Sequence, residues 1–479
     1  MAKPNAIYLM GGGGTPVISA SAYGLLNRTY EAYRDKVGTF YAAVGGMRGA
    51  LNEDLVDVFT WAEKDGKAGA KGNLNRLKWP ATPVFGTSRL NPDAEDCGRL
   101  IELFKAHEIH HAFLNGGNDT QEKAIILKEF AAKENFELHV IGIPKTVDND
   151  LMVTHRCPGY ASFAKQVALV TASLQGDIDA FGIPVGATRG GALREGAVSQ
   201  VAVFMGRDEG WGAAASVMAQ VDESYGPHVI LTKEGGFNKD KFLARCQNAW
   251  DKHGNLFVVA SEGAHDGLQY LGYYLEVASE RYATKFKVHT DAHKNTSVSD
   301  GRVALFLKLL IEKELKVDTN VYTSMKARAE GPDYLNRNNL EIMSEPDFRD
   351  AQAVGAKAAD LAFGPNPTDR VMVTLQSEKC ADAGFTPLST VADSSKGSKA
   401  MVKSLTSLGT KEKPILSADG MMVDKGLYEK YIGPILDLHG PNRRDVLASE
   451  GFTIPLPRII WPFAARKLKP YAKAPKAPK

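Results

Sequence analysis

Two α/β lobes built on mainly parallel sheets are the architecture that this sequence predicts. Three observations carry the expectation. Short apolar runs of β-forming residues alternate with stretches of helical periodicity. Several of those runs end in glycine or polar turns, as strands of a parallel sheet do before a helix. The chain has 479 residues, enough for two or three domains.

In chain order, the run Ala6 to Met10 predicts a strand and Ser19 to Lys36 a helix; Val84 to Phe85 a short strand and Ala94 to His107 a helix. Ala112-Phe113-Leu114 continues the pattern into a glycine pair, and Leu138 to Ile143 precedes a helix over Ser162 to Gln175. A second set begins with Val198 to Met205, Val229 to Thr232 and Phe257 to Ser261. The Ser, Thr, Lys and Gly-rich stretch from Phe385 to Gly409 reads as an irregular connection, followed by a helical pattern over Leu427 to Leu438. These signals divide the chain into an N-terminal lobe (1–160, completed by part of 325–400), a second lobe (161–324) and a C-terminal extension (385–479). No repeat of solenoid period occurs. The basic tail from about Lys467 is expected to be disordered and solvated.

Composition narrows the function. With 58 Lys and Arg against 56 Asp and Glu, the chain is too balanced to favour nucleic acid. No stretch of about 18 apolar residues is present to span a membrane, and the opening residues lack a signal-peptide core, so a cytoplasmic enzyme is expected. The cysteines Cys97, Cys157, Cys246 and Cys380 have no CxxC spacing and read as free thiols.

The strongest motif is Pro144-Lys145-Thr146-Val147-Asp148-Asn149-Asp150. It follows a strand, so its side chains emerge at the carboxyl edge of a parallel sheet, where open α/β folds bind ligands. Asp148 could take a proton from a substrate hydroxyl while Lys145 and Thr146 neutralise a transferring phosphoryl group. A solvated loop with helix-capping aspartates is the competing reading. Gly116-Gly117-Asn118-Asp119-Thr120 should face it, its glycines letting backbone amides approach a phosphate.

The loop Gly11-Gly12-Gly13-Gly14 closes the first strand and could bind an anion ahead of a helix, or be no more than a tight turn. It is neither a Walker A loop nor a full GxGxxG. Met205-Gly206-Arg207 offers a guanidinium fork for phosphate, and Ser261-Glu262-Gly263 a carboxylate for sugar hydroxyls or for a helix cap. Arg328, Tyr334 and Arg337 could converge on an anion or be merely solvated. His107-Glu108-Ile109-His110-His111 matches HExxH, but zinc chemistry needs both histidines on one helical face. A helix ending near Glu108 and a strand from Ile109 point them apart. The Asn-x-Thr/Ser triplets at Asn27, Asn118 and Asn295 carry no weight without a secretion signal.

Taken together, the Gly12-Gly13 loop, Gly86-Thr87-Ser88-Arg89, the Gly116 to Thr120 and Pro144 to Asp150 motifs, Met205-Gly206-Arg207, Ser261-Glu262-Gly263 and Arg328 to Arg337 occur in an order that resembles the phosphofructokinase family. The resemblance runs to about Ile432 and is closer to the pyrophosphate-dependent bacterial branch. It implies two Rossmann-like lobes of the phosphofructokinase type with a C-terminal extension, the phosphoryl donor in the N-terminal lobe and the sugar phosphate in the second. It implies that Asp148 is the base for the C1 hydroxyl of fructose 6-phosphate, with Asp150 supporting it or a Mg²⁺ ion. Gly12, Gly13, Arg89, Gly117, Asn118, Asp119 and Thr120 would surround the donor, with Asn118 and Asp119 near the metal. Met205, Gly206, Arg207 and Glu262 would hold the sugar, and Arg328, Tyr334 and Arg337 its 6-phosphate. A homodimer or homotetramer is implied.

ATP-using members of the family carry glycine where Asp119 stands, and most carry glycine where Lys145 stands. A carboxylate at the first position would repel a nucleotide α-phosphate and a lysine at the second suits a compact donor, so pyrophosphate is the expected donor. The pattern departs at Asn118, where an aspartate is usual, and at Asp333, Tyr334 and Asn336, which replace glycine, histidine and glutamine. An inter-subunit arginine has no clear match in Ala197-Val198-Ser199-Gln200, leaving Arg189 or Arg194 as substitutes. An ATP-dependent kinase, a kinase of another sugar phosphate such as sedoheptulose 7-phosphate, and a non-catalytic sugar-phosphate sensor are the alternatives.

Overall fold

The computed structural model describes residues 3–182, 197–274, 301–317, 324–332, 334–339, 341–392, 402–441, 443–451 and 459–471. Arg189, Arg194, Asn295 and Asp333 lie outside them. The described strands are β1 Asn5–Met10, β2 Phe40–Ala43, β3 Leu55–Asp57, β4 Ile109–Gly116, β5 His139–Pro144, β6 Ala197–Phe204, β7 Val229–Leu231, β8 Leu256–Ser261, β9 Met325–Glu330, β10 Val371–Leu375 and β11 Ala383–Pro387.

They form two sheets, ordered β11-β10-β5-β4-β1-β2-β3 and β7-β8-β6-β9. In the first, only the outermost strands, β3 and β11, run antiparallel to their neighbours. The second is parallel throughout. Burial follows the pleat: Ala6, Tyr8 and Met10 of β1 enter one core, Ile7 and Leu9 the core on the other face. β6 divides in the same way, with Ala202 and Phe204 on one side and Val201 and Val203 on the other.

Helices cover the sheets where local chemistry starts them. Helix Ala94–Ala106 opens with a reciprocal capping box between Asp93 and Asp96. Helix Glu345–Phe363 begins on the Ser344 side chain with a proline in its first turn. That helix crosses helix Ile18–Ala32 at backbone contact: a Cβ at Gly24 would lie 2.1 Å from the Gln352 carbonyl and one at Gly355 2.1 Å from that of Ser21. The crossing therefore requires glycine on both sides.

Three expectations need correction. Val84 and Phe85 form a turn, not a strand: Gly86 donates to the Pro83 carbonyl at 2.9 Å, and Val84 N is taken by Ser19 Oγ at 3.0 Å. The apolar pair anchors this turn, with Phe85 packed edge-on against Tyr8. The stretch from Phe385 is not wholly irregular, since Ala383–Pro387 completes the first sheet as β11, paired with β10. Nor is the tail free from Lys467, because Lys467 and Leu468 donate backbone N–H to the buried Glu53 carboxylate at 2.6 and 3.0 Å, and Tyr471 donates to Asp96. Residues 472–479 lie outside the described residues.

The segment before that tail is a strap along the N-terminal lobe. Ala464 donates to the Leu55 carbonyl at 2.7 Å beside a Phe463–Val56 bridge. Trp461 sits against Trp61 and Phe85. Among the described residues no helix is long and apolar enough to cross a membrane. All four cysteines are free, with only Cys380 exposed.

Candidate active site

Strand order decides where side chains can meet. β1 is flanked by β2 on one side and β4 on the other, so the connections leaving β1 and β4 diverge and open a crevice at their carboxyl ends. Register aligns three strand ends there, pairing Met10 with Asn115 and Asn115 with Ile143. The Gly11 to Gly14 loop, the Gly116-Gly117 turn and the Lys145 to Asp150 loop therefore emerge side by side. In the second sheet Phe204 pairs with Ser261, which brings Gly206 and Arg207 beside Glu262.

The glycine loop is lined by cations. Gly12 has φ of 79°, and a Cβ there would lie 3.2 Å from Lys145 Nζ. A Cβ at Gly13 would lie 2.5 Å from a terminal nitrogen of Arg337. The helix starts at Ile18, within a residue of the Ser19 expected, and so four residues past Gly14; the anion-binding quality of this loop therefore rests on Lys145 and Arg337 more than on helix amides. Thr87 Oγ1 donates to the Gly12 carbonyl at 2.8 Å and Gly12 N to the Ser88 carbonyl at 3.1 Å, which brings the Arg89 segment alongside.

Gly117 precedes helix Asn118–Lys133, which carries no side-chain cap and leaves its N-terminal end suited to an anion. Thr120 is buried against both Gly11 and Gly116, fixing the two turns to each other. Asp119 lies in the first helical turn, where its charge acts on the buried Lys123.

The loop after β5 holds the titratable centre. Burial lowers the Lys145 ammonium to about 8, against the attraction of Asp148. Burial raises the Asp148 carboxyl above its usual range; Arg207, Lys145 and Arg337 pull it down and Asp208 pushes it up. Asp150 is raised by burial, and further by Asp148, to about 7. Thr146 Oγ1 accepts the Asp148 backbone N–H at 3.0 Å, so this hydroxyl shapes the loop.

Across the cleft, Arg207 makes a two-nitrogen ion pair with Asp208 at 3.0 and 2.9 Å. Gly206 N donates to Glu262 Oε1 at 3.4 Å, and Met205 is buried behind them. Arg337, with Tyr334 4.5 Å from its charged centre, lies within electrostatic reach of Arg89, Asp148 and Glu262. Arg328 is not drawn into this group; it pairs with Asp177 of helix Tyr160–Gly182.

A divalent cation finds a fitting oxygen set here. Asn118 Nδ2 donates to Asp150 Oδ2 at 2.8 Å, while Asn118 Oδ1 is buried without a hydrogen-bond partner. No cluster of three or more His, Cys, Asp or Glu side chains forms a metal cage among the described residues. Such an ion would complete its shell from water and phosphate oxygens, the habit of Mg²⁺.

The HExxH match dissolves as expected. His107 caps the end of helix Ala94–Ala106 and bonds Glu53 at 2.7 Å, whereas His111 lies in β4 stacked on His139. Sequence reasoning missed Asp208, although it directly follows the Met205-Gly206-Arg207 motif, and it missed Lys403. That lysine lies in a polar stretch with no pattern to mark it, yet its ammonium is buried beneath the Lys145 to Asp150 loop.

Comparison with known proteins agrees with this geometry. The family model described as Phosphofructokinase matches residues 5–182. A Rhodospirillum rubrum protein named pyrophosphate–fructose 6-phosphate 1-phosphotransferase is 30% identical over 82% of this chain and 87% of its own length. A Halomonas elongata protein of the same name is 32% identical over 76% of this chain and 78% of its own. Among solved structures, a pyrophosphate-dependent phosphofructokinase from Nitrosospira multiformis superposes with a TM-score of 0.76 at 28% identity, covering 98% of this chain and all of that one.

Proposed function

The chain belongs to the phosphofructokinase family, and from that premise we propose that it transfers a phosphoryl group from pyrophosphate to the C1 hydroxyl of fructose 6-phosphate. The products are fructose 1,6-bisphosphate and orthophosphate. One phosphoanhydride is exchanged for one phosphate ester with no large surplus of energy, so the step is reversible.

The observation that carries the reading is that Asp148 lies within electrostatic reach of Lys145, Arg337 and Arg207, which come from the loop after β5, the short helix Leu335–Asn338 and the loop after β6. Asp148 accepts the C1 hydroxyl proton as the oxygen attacks phosphorus. Lys145, close over Gly12, compensates charge on the moving phosphoryl group, and Arg337 over Gly13 holds anions in line. Mg²⁺, when bound by Asp150, Asn118 and Asp119, would neutralise donor phosphate charge. Arg207 and Glu262, with the backbone of Met205 and Gly206, orient the sugar, and Tyr334 joins Arg337 at its 6-phosphate, while Arg328 stays with Asp177 outside that group. Asp119 and Lys145 favour pyrophosphate over ATP, the first by repulsion and the second by supplying charge to a compact donor. The protein acts in the cytoplasm as a homodimer or homotetramer.

The test is turnover of fructose 6-phosphate with pyrophosphate and with ATP in parallel, in Mg²⁺, for wild type and Asp148→Asn. Pyrophosphate should support turnover, and the substitution should reduce kcat by roughly 10²- to 10⁴-fold. Turnover with ATP alone would overturn the donor assignment, and an unaffected Asp148→Asn would overturn the base.

A further inference from the structure

Two carboxylates two residues apart can share one cleft only if the residue between them is held, and here that residue is Asn149. Its φ is 55°, in the left-handed region, which asparagine tolerates but which needs support. The side chain is fully buried, and both ends of its amide are engaged. Oδ1 accepts from Cys157 N at 3.0 Å and from Lys403 Nζ at 3.2 Å, while Nδ2 donates to Tyr431 Oη at 2.8 Å.

Lys403 and Tyr431 both come from the C-terminal extension, more than 250 residues along the chain from Asn149. The Lys403 ammonium has three donors. The other two go to the carbonyls of Thr154 at 3.2 Å and His155 at 3.0 Å. Its backbone N donates to the Asp150 carbonyl at 2.8 Å, beside a bridge between Leu151 and Val402. On its other side Lys403 O accepts from Trp211 Nε1 at 2.9 Å, and the ammonium lies 5.3 Å from the centre of that indole ring. Trp211 follows directly on the loop that carries Arg207. One residue of the extension therefore grips the aspartate loop and the Arg207 loop together, with no ammonium donor left over for a substrate.

We propose that Lys403 is a positioning residue for phosphoryl transfer, acting through Asn149 and Trp211 to set Asp148 and Asp150 against Arg207. The inference rests on the reading of Asp148 as the base. Misplacing a reacting group by about 1 Å can cost on the order of 10²-fold in rate. A residue that only positions should lower kcat and spare substrate binding.

The experiment compares wild type, Lys403→Met, Lys403→Arg and Tyr431→Phe in steady-state turnover of fructose 6-phosphate and pyrophosphate, with thermal melting of each. Lys403→Met should lose roughly 10- to 100-fold in kcat, with both KM values held within about twofold. Lys403→Arg, which keeps a charged donor, should recover part of that loss. Wild-type kcat per folded molecule in Lys403→Met, whatever its melting temperature, would overturn the proposal. Should Lys403→Met fail to fold, Tyr431→Phe decides: a several-fold fall in kcat at unchanged melting temperature supports it, and an unchanged kcat overturns it. Equal turnover by wild type and Asp148→Asn, both of which keep Lys403, would overturn the reading of Asp148 and leave the effect of Lys403 to be read separately.

Discussion

Replacing Lys145 by methionine should make this protein more stable and nearly inactive. Lys145 is 5% exposed, and its folded-state value falls from 10.5 to about 8, chiefly through burial. That gap corresponds to roughly 3 kcal/mol of environment set against the ammonium, an order-of-magnitude figure. Methionine fills a similar volume without the charge, so at pH 7 the variant should melt several degrees above wild type. The sign with pH follows from linkage. Between about 8 and 10.5 the unfolded chain holds a proton that the folded chain has released, so wild-type stability rises with pH across that window. The advantage of Lys145→Met is then full below pH 8 and fades toward pH 10.5. The assay is calorimetric or fluorescence melting at several pH values, beside turnover with pyrophosphate. A variant that melts below wild type at pH 7, or a difference that does not shrink with rising pH, would refute the argument.

Turnover itself should decline above about pH 8 as Lys145 loses its proton, and Lys145→Arg should carry that alkaline limb upward; a profile flat to pH 10 would remove the ammonium from the chemistry. Gly206→Ala meets both a φ of 138° and the Glu209 carbonyl 2.6 Å from the new Cβ, so a loss of about 1–3 kcal/mol and a raised KM for fructose 6-phosphate are expected from melting and kinetics. Deleting the chain from residue 459 onward removes Trp461 from Phe85 and its 3.3 Å bond to the Val84 carbonyl. The turn leading to Arg89 should loosen, raising KM for pyrophosphate more than that for the sugar phosphate.

What could be read in advance, and what could not, divides along physical lines. β1, β5 and β8 carry apolar runs buried on both faces, so burial wrote them into the sequence. The Lys145 to Asp150 loop was legible because such polarity directly after a buried strand has no packing use. Val84 and Phe85 misled because two apolar residues anchor a turn as readily as they make a strand. The tail misled because Lys467 and Leu468 anchor it through backbone N–H groups, to which side-chain charge is no guide. Arg328 and Arg337 look alike in sequence, yet Arg337 reaches the cleft while Arg328 is paired with Asp177, a difference set by tertiary geometry alone. Lys403 was invisible because its partners are mostly carbonyls and one distant amide.

The place of β10 has a consequence for how the protein comes into being. β5, which leads into the aspartate loop, gains its second neighbour only when β10 arrives, through the pairs Ile141–Val371 and Gly142–Met372. At a ribosomal rate of roughly 5–20 residues per second, the roughly 230 residues between them take about 10 to 50 s to be made. During that interval one edge of β5 lacks its native partner, and Gly142 together with Pro144, which has no N–H, makes it a poor template for a stray strand. Lys403 emerges later still, so the aspartate loop cannot reach its final form until more than four-fifths of the 479 residues have left the ribosome.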